Sequence, residues 1–172
     1  MPQFRLTKNF SIDCKVNNLS EPLAPLHSLD DWGIDRMVVD RRKVAIITHV
    51  KSAYTFFIPY ADAGGAKGIA ACFKMRLRKL FHDNGIDSMV KETDRLFSGD
   101  CFFTKTVDRR LLGHMNDFKR CAMPYPEDPR PIDWADEESR INNMPIKGGI
   151  KDWMYPVERF SEIIGANLPK RQ

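Results

Sequence analysis

The sequence contains no apolar run long enough to cross a bilayer. Runs such as 44–47 and 56–58 fall far short of the roughly 20 residues a spanning helix needs. No secretory signal is seen either. The start, Met1-Pro2-Gln3-Phe4-Arg5-Leu6-Thr7-Lys8, has no apolar core and no small-residue cleavage site, so a cytoplasmic protein without a membrane partner is expected. Cysteine is sparse and scattered. Cys14, Cys72, Cys101 and Cys121 form no C-x-x-C pair and have no histidine at metal-ligand spacing, which argues against a disulfide framework and a zinc site. Cys72 and Cys101 fall within apolar patterns, where a free thiol behaves as a small hydrophobe. His27, His49, His82 and His114 make no paired metal motif, and Asp30, Asp31, Asp35 and Asp40 are not spaced as a cation loop; neither a metal nor a cofactor is expected. The glycines of Asp62-Ala63-Gly64-Gly65-Ala66-Lys67-Gly68 precede a helix but lack the spacing and Ser/Thr of a P-loop, and read as a connector.

What is present is the balance of a globular chain. Of 172 residues, 42% are apolar and 29% charged, enough for one core of ordinary size. The net charge of +4 attracts phosphate only if the cations gather on one face. The pattern predicts an α+β fold. A strand over 4–8 and an irregular loop over 11–31 lead into an antiparallel β-meander at 36–39, 44–49 and 53–58. Helices follow over 68–82 and 86–97, then a further strand near 101–105, and the helices are expected mainly on one face of the sheet. Similar short stretches, Phe4-x-x-Thr7-Lys8 and Phe103-Thr104-Lys105, suggest that the first and last strands are neighbours. Residues 1–123 are read as the core domain. Residues 124–172 are read as a proline-rich strap, from Pro124, Pro126, Pro129 and Pro131, with helices near 134–142 and after Pro156 and a turn at Gly148-Gly149, packed on the same domain.

The strand-to-helix junction near residue 106 carries the most chemistry. Thr106 is read as the cap of a helix reaching about Met123, with Val107, Leu111, Met115, Phe118 and Ala122 facing the core. Arg109, Gly113, Asn116, Asp117 and Arg120 then share the opposite face. A glycine inside a helix costs about 1 kcal/mol relative to alanine, and close approach of a ligand or backbone would give Gly113 its reason. Two arginines and an asparagine around a bare patch suit a phosphate, a carboxylate or a base edge; a solvated face is the plainer reading. Asp40-Arg41-Arg42-Lys43 adds cations at a hairpin turn. His114, beside the apolar stripe, is a structural histidine on the plain reading, and with Asp108 and Asp117 a set of proton-transfer candidates on the other.

Three motifs together, Phe4-x-x-Thr7-Lys8, Asp40-Arg41-Arg42-Lys43 before an apolar strand, and Phe103-Thr104-Lys105-Thr106-x-Asp108-Arg109-x-x-Leu112-Gly113-x-Met115-Asn116-Asp117, resemble an uncharacterised bacterial and phage-borne domain-of-unknown-function family over roughly the first 120 residues. The resemblance implies a small stand-alone protein with a defence, toxin–antitoxin or counter-defence setting, and no established activity. The expected function is an anion-binding module for RNA or a nucleotide, built from Lys8, Arg41, Arg42, Lys105, Arg109, Gly113, Asn116 and Arg120. The alternatives are a metal-independent nuclease using His114, Asp108 or Asp117, and an inhibitor or antitoxin docking a protein partner through the strap or through Trp134 and Trp153.

Overall fold

A two-residue link forces neighbouring strands to run antiparallel, whereas a long connection lets the chain return to the same end of the sheet. Both cases occur here. The computed structural model describes residues 1–123, 131–147 and 152–170. Its first half contains β1 (Gln3–Leu6), α1 (Lys8–Cys14), β2 (Asp31–Val39), β3 (Arg42–His49), β4 (Thr55–Pro59) and α2 (Ile69–Asp83). Then come α3 (Asp87–Leu96), β5 (Phe102–Lys105), α4 (Arg109–Cys121), α5 (Trp134–Asn142), β6 (Ile146–Lys147), β7 (Trp153–Met154) and α6 (Pro156–Ile164).

The main sheet has the order β4-β3-β2-β1-β5. The meander β2-β3-β4 is antiparallel, as expected. The sheet as a whole is mixed, not antiparallel, because β1 runs parallel to both β2 and β5. The chain leaves β1 through α1 and a long segment before β2, and reaches β5 only after α2 and α3. Phe4 pairs in register with Phe103, and their rings stack at 6.2 Å, so the two similar stretches are indeed neighbours. At the β2–β3 turn, Asp40 and Arg41 both have positive φ, 48° and 62°, the twist that a tight two-residue hairpin requires.

Helices cover both faces, not mainly one. On the first face Phe10 of α1, Ile69, Phe73, Leu77 and Phe81 of α2, and Phe160 of α6 pack against Phe4, Trp32, Ile34, Ile47 and Phe56. On the second, Leu111, Met115 and Phe118 of α4 and Ile141 of α5 pack against Met37, Val39, Val44, Ile46 and Phe57. A strand buried on both faces loses the apolar/polar alternation that would reveal two helical layers. Phe57 and Ile58, adjacent in β4, are both fully buried.

Local boundaries differ from the sequence reading where a cap decides them. The first strand stops at Leu6 because the Thr7 hydroxyl accepts from the Phe10 N–H and opens α1 inside the expected loop; Lys15, left-handed at φ 58°, closes that helix. Thr106 is not the cap of α4. Its hydroxyl donates to the Arg5 carbonyl at 2.8 Å, and Asp108 takes the cap by accepting from the Arg110 and Leu111 N–H groups. Val107 is consequently 54% exposed and not in the core. The small β6–β7 pair was not anticipated from the sequence, while α5 and the Pro156 start of α6 were. Pro124, Pro126, Pro129 and the Gly148-Gly149 turn lie outside the described residues.

Among the described residues no further strand pairs with the outer edge of β4, and α5 meets it with side chains. The Asn142 carboxamide accepts the Thr55 N–H and donates to the Thr55 carbonyl, both at 2.8 Å. One helical turn earlier, Glu138 accepts the Phe57 N–H at 2.7 Å, and Arg76 of α2 donates both to the Phe57 carbonyl and to Glu138. Four helical residues rise about 6 Å and two strand residues about 7 Å, so the i, i+4 pair matches alternate residues of the edge. Asn142→Ala leaves the Thr55 N–H and carbonyl buried without these partners. A loss of about 2–4 kcal/mol in urea unfolding is expected; a change below about 1 kcal/mol means that the edge is not held this way.

His49 generates a second prediction. It is fully buried, with Nδ1 against the Ser52 hydroxyl and Nε2 against the Ser28 carbonyl, both at 2.8 Å, and burial pulls its pKa down from 6.5 to about 4. Below the ordinary histidine pKa the unfolded chain takes up the proton and the folded one does not, so this group removes stability as pH falls from about 6.5 to about 4, by about 3 kcal/mol in all. Glu138, raised by burial to about 7 despite Arg76, acts in the opposite sense as pH changes. Comparing wild type with His49→Gln cancels that shared contribution. The wild type should lose more stability than the variant over this interval, and identical pH slopes would show that His49 is not held neutral.

Candidate functional site

The predicted binding residues are distributed over three places. The first is α4. Leu111 seats against Gly33 of β2, where an added Cβ would lie 2.6 Å from the leucine Cδ2, so a residue without a side chain lets the helix approach the sheet. The opposite face, with Arg109, Gly113, Asn116, Asp117 and Arg120, is exposed as the periodicity predicts. No other described backbone comes close at Gly113: a Cβ built there meets nothing within 4 Å. Arg120 and Asp117 are 3.7 Å apart, one turn along the helix. His114 is half-buried, its ring 6.3 Å from Phe118 and its Nε2 3.4 Å from Arg110 Nε; burial and then the Arg110 charge lower its pKa and so favour the neutral imidazole. Asp108 is occupied as the helix cap.

The second place is the carboxyl end of β1 and β5. Lys8 is exposed on the first turn of α1, and Lys105 forms an ion pair with Glu21. Thr104 is fully buried, and its hydroxyl has no partner among the described residues. Thr7 serves the fold twice, capping α1 and donating to Asp35 at 2.5 Å. The other oxygen of Asp35 pairs with Lys119 of α4. Nothing in the sequence connects these three, since Asp35 and Lys119 are 84 positions apart.

The third place is the β2–β3 hairpin. Arg41 is in the turn, and Arg42 begins β3, where it lines a cleft of about 500 Å³ together with Lys43, Tyr60, Asp62, Pro131 and Trp134. None of the other predicted binding residues lines this cleft. Arg42 has no side-chain partner among the described residues. Lys43 is anchored: it donates to Asp13 at 2.8 Å, and Asp13 also accepts from Arg36 and from the Tyr60 hydroxyl. Burial alone would raise the Asp13 pKa, but the bonds from Lys43 and Tyr60 and the Arg36 charge outweigh it and hold the carboxylate below its ordinary range. Trp134, half-buried, lies 5.5 Å from Phe57. The acceptor Asp13 is not legible from the sequence, because α1 lies in an expected loop, and although Trp134 is a candidate docking residue nothing local places it beside Tyr60 and the hairpin.

The glycine connector is an ordered turn. The N–H groups of Asp62, Ala63, Gly64, Gly65 and Gly68 donate to carbonyls within residues 59–65, and are not presented to a phosphate. A Cβ at Gly68 would lie 1.8 Å from the Ala63 carbonyl oxygen, which explains the glycine. Among the described residues no group of three or more His, Cys, Asp or Glu side chains is placed to hold a metal ion, and no helix is long and apolar enough to cross a membrane.

Removing the cation from the buried Asp35–Lys119 pair separates a folding role from a binding one. Lys119→Met should cost about 3–5 kcal/mol in urea unfolding, and Asp35→Asn added to it should restore much of that loss. No recovery in the double variant would mean that the carboxylate is not the group left stranded.

No curated protein matches the sequence. A family model described as Domain of unknown function (DUF6933) does, and it extends past the 120 residues that carry the three motifs. Matched over residues 3–159, the chain belongs to that family of unknown function.

Proposed function

We propose that the cleft beside the β2–β3 hairpin binds a nucleoside monophosphate unit, as a free nucleotide or as a residue of RNA. The observation that carries this reading is Arg42: a cation without a side-chain partner among the described residues, lining a cleft of about 500 Å³ that Trp134 and Tyr60 also line. That volume falls within the range of small-ligand sites. Arg42 takes the phosphate through paired N–H donors, with Lys43, held by Asp13, adding positive charge. The indole of Trp134 supplies a stacking surface for the base. Asp40 and Asp62, also on the cleft wall, accept from ribose hydroxyls or an exocyclic amine and oppose a dense run of phosphates, so one phosphate is preferred to three. Arg109, Asn116 and Arg120, on the outer face of α4, are no part of this site. The motif resemblance extends the reading to a small cytoplasmic protein of bacteria or their phages, acting on RNA or nucleotides in a defence or counter-defence setting.

The test is a titration of the full chain with AMP, ATP and a short oligoadenylate, followed by tryptophan fluorescence with Trp134→Phe as the assignment control. AMP should bind more tightly than ATP, and Arg42→Ala should weaken AMP by about tenfold or more while Arg109→Ala changes little. Affinity should fall as salt rises. Equal losses for the two arginine variants, or no saturable signal with any of the three ligands, would remove the site from this cleft.

A further inference from the structure

We propose that a second cavity, on the face of the sheet covered by α1 and α2, binds a small organic acid with an apolar body of one ring and a short chain. This site is independent of the hairpin cleft. Its volume is about 280 Å³, and it is bounded by Phe10, Cys14, Ile34 and Phe103, with Ala66 and Ala70 one helical turn apart on the opposing wall. The two alanines supply the space, since a larger side chain at either would enter the cavity.

The wall is apolar in its chemistry as well as its composition. The Cys14 thiol donates to the Ala66 carbonyl, and burial pushes its pKa up to about 11, so it contributes neither charge nor a nucleophile. An apolar cavity of about 150 Å³ already accepts benzene, and the volume here leaves room for a ring carrying a chain of a few atoms. Lys67 selects the head group. It is exposed, it belongs to the cavity lining, and no described residue pairs with it. A carboxylate at the end of the chain meets this ammonium while the ring occupies the apolar interior; an amine in the same position meets a like charge.

The probe is 3-phenylpropionate, added to the full chain and followed by amide chemical shifts, with 3-phenylpropanol and 3-phenylpropylamine as the neutral and cationic isosteres. Saturable shifts at Cys14, Ala66 and Ala70 are expected, with the acid binding best and the amine worst. Lys67→Met should weaken the acid by about fivefold and leave the alcohol unchanged, and Ala70→Leu should abolish both. If Ala70→Leu fails to give a folded spectrum, Ala66→Val serves as the filling variant. The proposal is overturned if neither acid nor alcohol saturates by about 10 mM, if the shifts lie elsewhere, or if a folded filling variant binds as the wild type does.

Discussion

The sheet depends on how the edge of β4 is closed. Backbone N–H and carbonyl groups at a sheet edge must find partners, and an edge left open invites pairing with another chain. Here two alternate residues, Thr55 and Phe57, are satisfied by Asn142, Glu138 and Arg76. Because the acceptors and donors come from α5 and α2, the bonds that close the edge also anchor the two helical layers to it. The consequence extends to the proposed site: α5 is held at its second and third turns along β4, and its first residue, Trp134, is thereby set beside Phe57 as a wall of the hairpin cleft.

Four of the cations are committed to carboxylates that are themselves buried. Arg5 is paired with Asp31, Lys119 with Asp35, and Arg36 and Lys43 with Asp13, and each of these three carboxylates is largely removed from solvent. Such pairs weigh desolvation against attraction and are poor sources of net stability, but breaking one strands a charge. They tie β1, β2, α1 and α4 into one register. The cations to consider first as ligand contacts are those left outside these pairs, Arg42 among them.

The motifs that carry the family resemblance largely mark folding junctions. Phe4 and Phe103 are paired core residues of β1 and β5, Thr7 opens α1, and Asp108 opens α4. Of the third motif, Arg109, Gly113, Asn116 and Asp117 are exposed on the outer face of α4, with no described residue near Gly113, while Met115 packs against the sheet. No part of the described chain approaches the helix at Gly113, so packing within the chain does not account for this glycine. The hairpin cleft shares Asp40, Arg42 and Lys43 with the second motif, and its aromatic wall comes from Tyr60 and from Trp134 of α5.

Periodicity and punctuation by themselves determined the α+β class, the meander of β2, β3 and β4, the helices α2, α3 and α5, the proline start of α6, and the solvent face of α4. These depend on interactions within a few residues, which a local pattern records. Only the tertiary structure decided the parallel placement of β1, the two helical layers, the cap at Asp108 and the split of the charged residues into internal pairs and cleft wall. Each of these depends on contacts between distant positions, such as Asp35 with Lys119 or Thr55 with Asn142, and a chain read in order carries no sign of which distant polar group will satisfy a buried one.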